Sequence, residues 1–142
     1  MLARGLSMPH SPRWYQGRLW LLESGDGGVL LMDERSGRGE TIARLPGFTR
    51  GLDFYDGVAF IGLSQVRESA VFSGIPITQR PEKRVCGVWA LEVATGRTLA
   101  FLQFEAGVQE IFAVQVLPGL RFPELITDDP AVIGNSFLVP LS

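Results

Sequence analysis

Three residues of complementary chemistry, His10, Arg50 and Glu110, occupy matching places in a repeated stretch of this chain. Imidazole exchanges protons near neutral pH and ligates metals. Guanidinium clamps a carboxylate or phosphate through two parallel hydrogen bonds. A carboxylate serves as a base or holds a cation. Each of the three precedes an apolar strand. If that strand is the innermost of its unit, the three side chains point toward one mouth of a central channel. Such a set suits a small anionic ligand or a peptide, and Glu110 is the one convincing metal ligand among them. A structural polar cluster lining a wet channel, with Arg50 paired to Glu110, accounts for the same residues. Arg67 and Glu68 open a long loop beside Ser64 and Ser69 and are placed either to cover that mouth or to form a solvated charge pair. Arg13 and Asp53 are also at matched positions and read first as structural.

No sharper chemistry stands behind these groups. Cys86 begins a strand and packs as a small apolar residue; the single His is at no dyad spacing from it. Ser7 and Ser11 flank His10 without a Gly-x-Ser-x-Gly elbow. Asp128 and Asp129 lack the calcium-loop pattern. Gly25, Gly27 and Gly28 join two strands, whereas a phosphate loop leads from a strand into a helix. No motif specifies a cofactor.

The elements that position the candidates repeat. Trp14-Tyr15-Gln16-Gly17, an apolar run and Ser24 reappear forty positions later as Phe54-Tyr55-Asp56-Gly57, an apolar run and Ser64. Gly28 to Asp33, closed by Ser36-Gly37-Arg38, matches Gly87 to Glu92, closed by Thr95-Gly96-Arg97. Short apolar runs separated by Gly turns are an all-β signature, and a β-rich unit at this period suggests propeller blades. Strands are expected at Leu19–Leu22, Val29–Met32, Glu40–Leu45, Leu52–Phe54, Ala59–Leu63, Gly87–Val93 and Thr98–Phe104. Trp14, Trp20 and Trp89 sit in strand patterns and are expected in the core. The second unit alone carries an insertion, residues 65–85, whose Val71, Phe72, Ile75 and Ile77 suit an ordered loop packed over one face of the sheet. A partial third unit begins at Val108, whose run to Val116 aligns with Phe48 to Asp56. Beyond it, Phe122–Ile126 reads as a helical turn or extended arm and Ser136–Leu141 as a last strand.

At 142 residues, with 46% apolar and 20% charged residues and a net charge of −2, the chain suits one soluble domain. No basic stripe invites nucleic acid, and no apolar run reaches the roughly 18 residues of a membrane span. The N-terminus lacks a signal-peptide apolar core, and one cysteine excludes an intrachain disulfide. Cytoplasmic residence follows as the default expectation.

Three long strings sharpen the picture: Gly5-Leu6-Ser7-Met8-Pro9-His10-Ser11-Pro12-Arg13-Trp14; Leu45-Pro46-Gly47-Phe48-Thr49-Arg50-Gly51-Leu52; and Val66-Arg67-Glu68-Ser69-Ala70-Val71-Phe72 with Gly74-Ile75-Pro76. Together with Cys86-Gly87-Val88-Trp89 and Gln109-Glu110-Ile111-Phe112, they resemble the bacterial DUF4915 family. The resemblance covers nearly the whole chain, which matches the C-terminal part of longer proteins. It implies a propeller-like fold and carries no activity.

The resulting expectation is an all-β partial propeller of two to three four-stranded antiparallel blades within a single domain, 1–142. Repeats span about 8–47 and 48–107, with a partial unit at 108–142. Two or three blades do not close a ring, which needs about four, so a homo-oligomer is expected, as a dimer of three-blade halves or a trimer of two-blade units; a truncated gene product is the other account. The expected function is a ligand- or protein-binding module for a small anion or peptide. The alternative, by fold analogy alone, is a metal-dependent lactonase-like hydrolase or lyase.

Overall fold

The structure, a computed structural model, describes residues 3–65, 74–80, 83–121, 123, 130 and 134. Among the described residues eight strands form two antiparallel sheets, each a simple meander in chain order. The first holds β1 (Pro9–Tyr15), β2 (Arg18–Glu23), β3 (Gly28–Met32) and β4 (Gly39–Arg44). The second holds β5 (Phe48–Tyr55), β6 (Val58–Ser64), β7 (Cys86–Glu92) and β8 (Thr98–Phe104). No α-helix of more than isolated residues occurs among the described residues.

The repeated turns are built alike. Gln16 and Gly17 have φ of 50° and 71°, and Asp56 and Gly57 have 47° and 76°. Two successive residues with positive φ make the tight hairpin whose twist matches the flanking strands. At the same end of each sheet, the turn between its last two strands also repeats: Asp33 N donates to Arg38 O at 2.8 Å and Gly37 N to Asp33 O at 2.8 Å. In the second sheet Glu92 N donates to Arg97 O at 2.9 Å and Gly96 N to Glu92 O at 2.8 Å. Ser36 and Thr95 add the same hydroxyl acceptor for the N–H two residues on, at 3.3 and 3.2 Å. The first strands share a bulge as well. The pairing of β1 with β2 shifts between His10 and Arg13, and that of β5 with β6 between Thr49 and Leu52. Ser11 and Gly51 lie in these bulges with φ of 51° and 81°, and Gly51 N donates to Ser11 Oγ at 3.0 Å.

The sheets stack face to face. Strand alternation sends Trp20, Leu22, Val29 and Leu31 from the first sheet into one core with Leu52, Ala59, Ile61, Leu63, Trp89 and Leu91 of the second. Tyr15 stacks on Phe54 with ring centroids 4.3 Å apart, and Trp20 meets the same Phe54 at 5.5 Å. β1 therefore packs beside β5. Burying this apolar area drives the association at roughly 25 cal/mol per Å².

Two expectations change. Trp20 and Trp89 are in the core at 3% and 7% exposure, whereas Trp14 is 61% exposed. Trp14 alternates with Tyr15, so it stands on the face turned away from the second sheet. The Ser24–Gly28 link joins the paired strands β2 and β3 through a 3₁₀ turn, Ser24–Asp26, followed by Gly27 at φ 68°. Residues 108–116 form no regular strand, yet they lie along the second sheet. Gln65 N donates to Gln109 O at 2.8 Å and Val116 N to the Asp53 carboxylate at 2.7 Å. Phe122 to Ile126, apart from Pro123, and the whole of Ser136 to Leu141 lie outside the described residues, as do Asp128 and Asp129.

The described part of the insertion packs over the ends of the strands. Pro76–Gln79 forms a 3₁₀ turn in which Ile77 is buried, close to Gly27 beside Leu45. Val85 N donates to Pro46 O at 2.9 Å and pins the return to β7.

Candidate functional site

His10, Arg50 and Glu110 belong to three successive first segments: β1, β5 and the 108–116 stretch. The bulge follows His10 in β1 and takes in Arg50 itself in β5, bending both strands at nearly equivalent points. His10 pairs opposite Leu22 and meets the Phe48 ring edge-on at 6.0 Å. Its pKa is held below the ordinary 6.5, first by burial and second by the positive charge of Arg50. Arg50 thus acts electrostatically on His10 from the neighbouring strand.

The Arg50 guanidinium carbon lies 4.5 Å from the centre of the Phe112 ring. This cation–π contact spans from β5 to the third segment and orients the group. Phe112 was not among the candidates, because only the crossing of the third segment over the second sheet brings it to Arg50. Glu110 is exposed. Its charge reaches the Cys86 thiol, which burial pushes above its ordinary pKa; the hydrogen bond with the Gln65 backbone opposes that rise and the Glu110 charge adds to it. A fully buried thiol with a raised pKa is a poor nucleophile, in keeping with a packing role. Arg67 and Glu68 lie outside the described residues.

Of the two residues read as structural, Asp53 holds the third segment through Val116 N and also accepts from Phe54 N at 2.9 Å. Arg13 donates to the neighbouring Pro12 carbonyl at 3.3 Å. Among the described residues no group of three His, Cys, Asp or Glu side chains is placed to hold a metal ion, and no helix is long and apolar enough to cross a membrane.

A second cluster escaped the sequence reading. Asp26, in the buried 3₁₀ turn, binds Arg44 Nε at 2.7 Å and also binds Arg80 of the insertion. These partners are 18 and 54 residues away in sequence. The long insertion was the available signal, without any indication of which end of the sheets it would reach.

Comparison with protein families matches residues 1–126 to a domain of unknown function, DUF4915. No curated protein matches the chain.

Proposed function

This chain belongs to the DUF4915 family, and on that premise we propose that it is a propeller-like binding module that recognises a small anion where its first strands meet. The two sheets are read as adjacent blades, about 8–47 and 48–107, with 108–116 as the inner strand of a third. Support comes from the meander order, the face-to-face stacking and the shared bulges and turns. A propeller directs such inner strands at a common channel.

One observation carries the ligand class: the Arg50 guanidinium, held over the Phe112 ring at 4.5 Å, stands at the bulge of β5, the strand packed beside the one that bears His10, so that its positive field reaches the imidazole. A bound carboxylate or phosphate offsets that field, and it accepts hydrogen bonds from the guanidinium. The test is an NMR titration of His10 with and without succinate or inorganic phosphate. The anion is expected to raise the His10 pKa, and Arg50→Ala to abolish the effect. An unchanged His10 titration in the presence of either anion sinks this reading.

Self-association belongs to the same reading. Exposed apolar groups include Trp14 on the outer face of the first sheet, Leu99, Phe101 and Leu102 on the edge strand β8, and Phe112. Exposed apolar edge strands invite pairing with another chain. Repeat equivalence favours a second copy as that chain. Trp14 corresponds to Phe54, whose partly buried ring packs against Tyr15 and Trp20 inside the chain. The two outer faces thus carry repeat-related versions of surfaces that already pack together.

A further inference from the structure

We propose a second anion site, independent of the His10 reading, in the cavity between the end of β4 and the inserted loop, for a small organic phosphate monoester. The cavity measures about 340 Å³ and is lined by Arg44, Leu45, Pro46, Ile77, Arg80 and Arg84. That volume lies within the range of small-molecule pockets. Three arginines, and no Asp or Glu, line it among the described residues.

Asp26 stands behind the lining, 14% exposed, and takes one guanidinium nitrogen from each of Arg44 and Arg80. Each guanidinium carries five N–H donors, so the carboxylate aligns two planar forks without occupying them. A phosphate dianion accepts bidentate bonds from such forks. Pro46 is exposed and, backed by the buried Leu45 and Ile77, supplies an apolar floor. A bare inorganic ion leaves that floor wet; an aryl or alkyl substituent on the phosphate covers it.

The chain builds this cavity through the feature that separates its two repeats. The insertion belongs to the second unit, and its described residues brace against the first. Thr78 N and Oγ1 both donate to Ile75 O, at 3.1 and 2.8 Å, and close the 3₁₀ turn. That turn sets Ile77 beside Gly27, where a Cβ would fall 2.6 Å from Leu45 O. The bond from Val85 N to Pro46 O clamps the far end. Between the two clamps, Arg80 and Arg84 face the cavity with Arg44.

The experiment is titration calorimetry of the full chain at low ionic strength with phenyl phosphate, inorganic phosphate and phenol. Phenyl phosphate is expected to bind saturably and at least about tenfold more tightly than inorganic phosphate, with phenol silent. Arg84→Gln, which leaves both Asp26 pairs intact, weakens binding about tenfold or more, and Arg44→Gln does the same if circular dichroism shows a native fold. Arg50→Ala leaves this binding unchanged even if it abolishes the anion response of His10. Absence of saturable heat, equal affinity for the two phosphates, indifference to Arg84→Gln, or loss in Arg50→Ala each overturns the proposal.

Discussion

The Ser24 hydroxyl, at the end of β2, donates a buried hydrogen bond to the Thr49 carbonyl in β5. Forty positions on, Ser64 closes the same device: its hydroxyl accepts from Ile111 N at 2.8 Å and donates to Ile111 O at 3.2 Å. The serine that ends each copy of the repeated stretch is therefore a tie to the first segment of the next unit. It explains why residues 108–116 stay seated on the second sheet without strand pairing of their own.

Ser24→Ala leaves the buried Thr49 carbonyl without this donor. A lost partner of this kind costs about 1–3 kcal/mol. Urea unfolding is expected to show a lower midpoint with an unchanged slope; a midpoint equal to the parent's means the tie is dispensable.

Tyr15 links the sheets twice, by its stack on Phe54 and by accepting from Gly57 N at 2.9 Å through its hydroxyl. Tyr15→Phe keeps the stack and is expected to cost about 1 kcal/mol. Tyr15→Ala also empties the aromatic contact and is expected to cost about 3–5 kcal/mol. Equal effects of the two, measured by thermal unfolding, contradict the stack as the larger contribution.

Gly51 and Gly57 separate strain from collision. Both have positive φ, 81° and 76°. An added Cβ at Gly57 meets nothing within 4 Å, whereas at Gly51 it falls 2.6 Å from Val114 N. Gly57→Ala is expected to cost about 1–2 kcal/mol through backbone strain. Gly51→Ala adds an overpacking cost of about 1–3 kcal/mol and detaches the third segment. Hydrogen exchange at Ile111 and Val116 rises in the second variant only; protection retained there rejects the collision.

His10 imposes a pH dependence of known sign. Burial and Arg50 lower its pKa in the fold from 6.5, so the native state binds the proton more weakly than the unfolded chain does. The contribution is complete above about 6.5, declines as pH falls toward the folded pKa, and levels off below it. His10→Gln removes that slope from a plot of unfolding midpoint against pH between 7.5 and 5. Arg50→Gln shifts the NMR-measured His10 pKa upward, and no shift excludes Arg50 as the source of the field.

Trp14→Ser tests the proposed association between copies. Light scattering at micromolar concentration is expected to give a multiple of 15.6 kDa for the parent and a smaller mass for the variant. A parent mass of one chain ends the oligomer proposal.

Local chemistry was legible in the residues themselves. Gln16-Gly17 and Asp56-Gly57 adopt successive positive φ because glycine and short turns require it. Ser36-Gly37 and Thr95-Gly96 close identical hydrogen-bond patterns for the same reason. Strand patterns pointed Trp20 and Trp89 into the core, where they lie, and Trp14 as well, which is exposed. These features depend on a few adjacent residues, and the repetition counted each of them twice. Tertiary structure alone decided that Trp14, with an equally apolar side chain, faces outward, since strand alternation specifies two faces and only the neighbouring sheet determines which is covered. It alone joined Asp26 to Arg44 and Arg80, and Arg50 to Phe112. Such contacts rest on where a loop and an unpaired segment come to lie across two stacked sheets, and no local spacing encodes that.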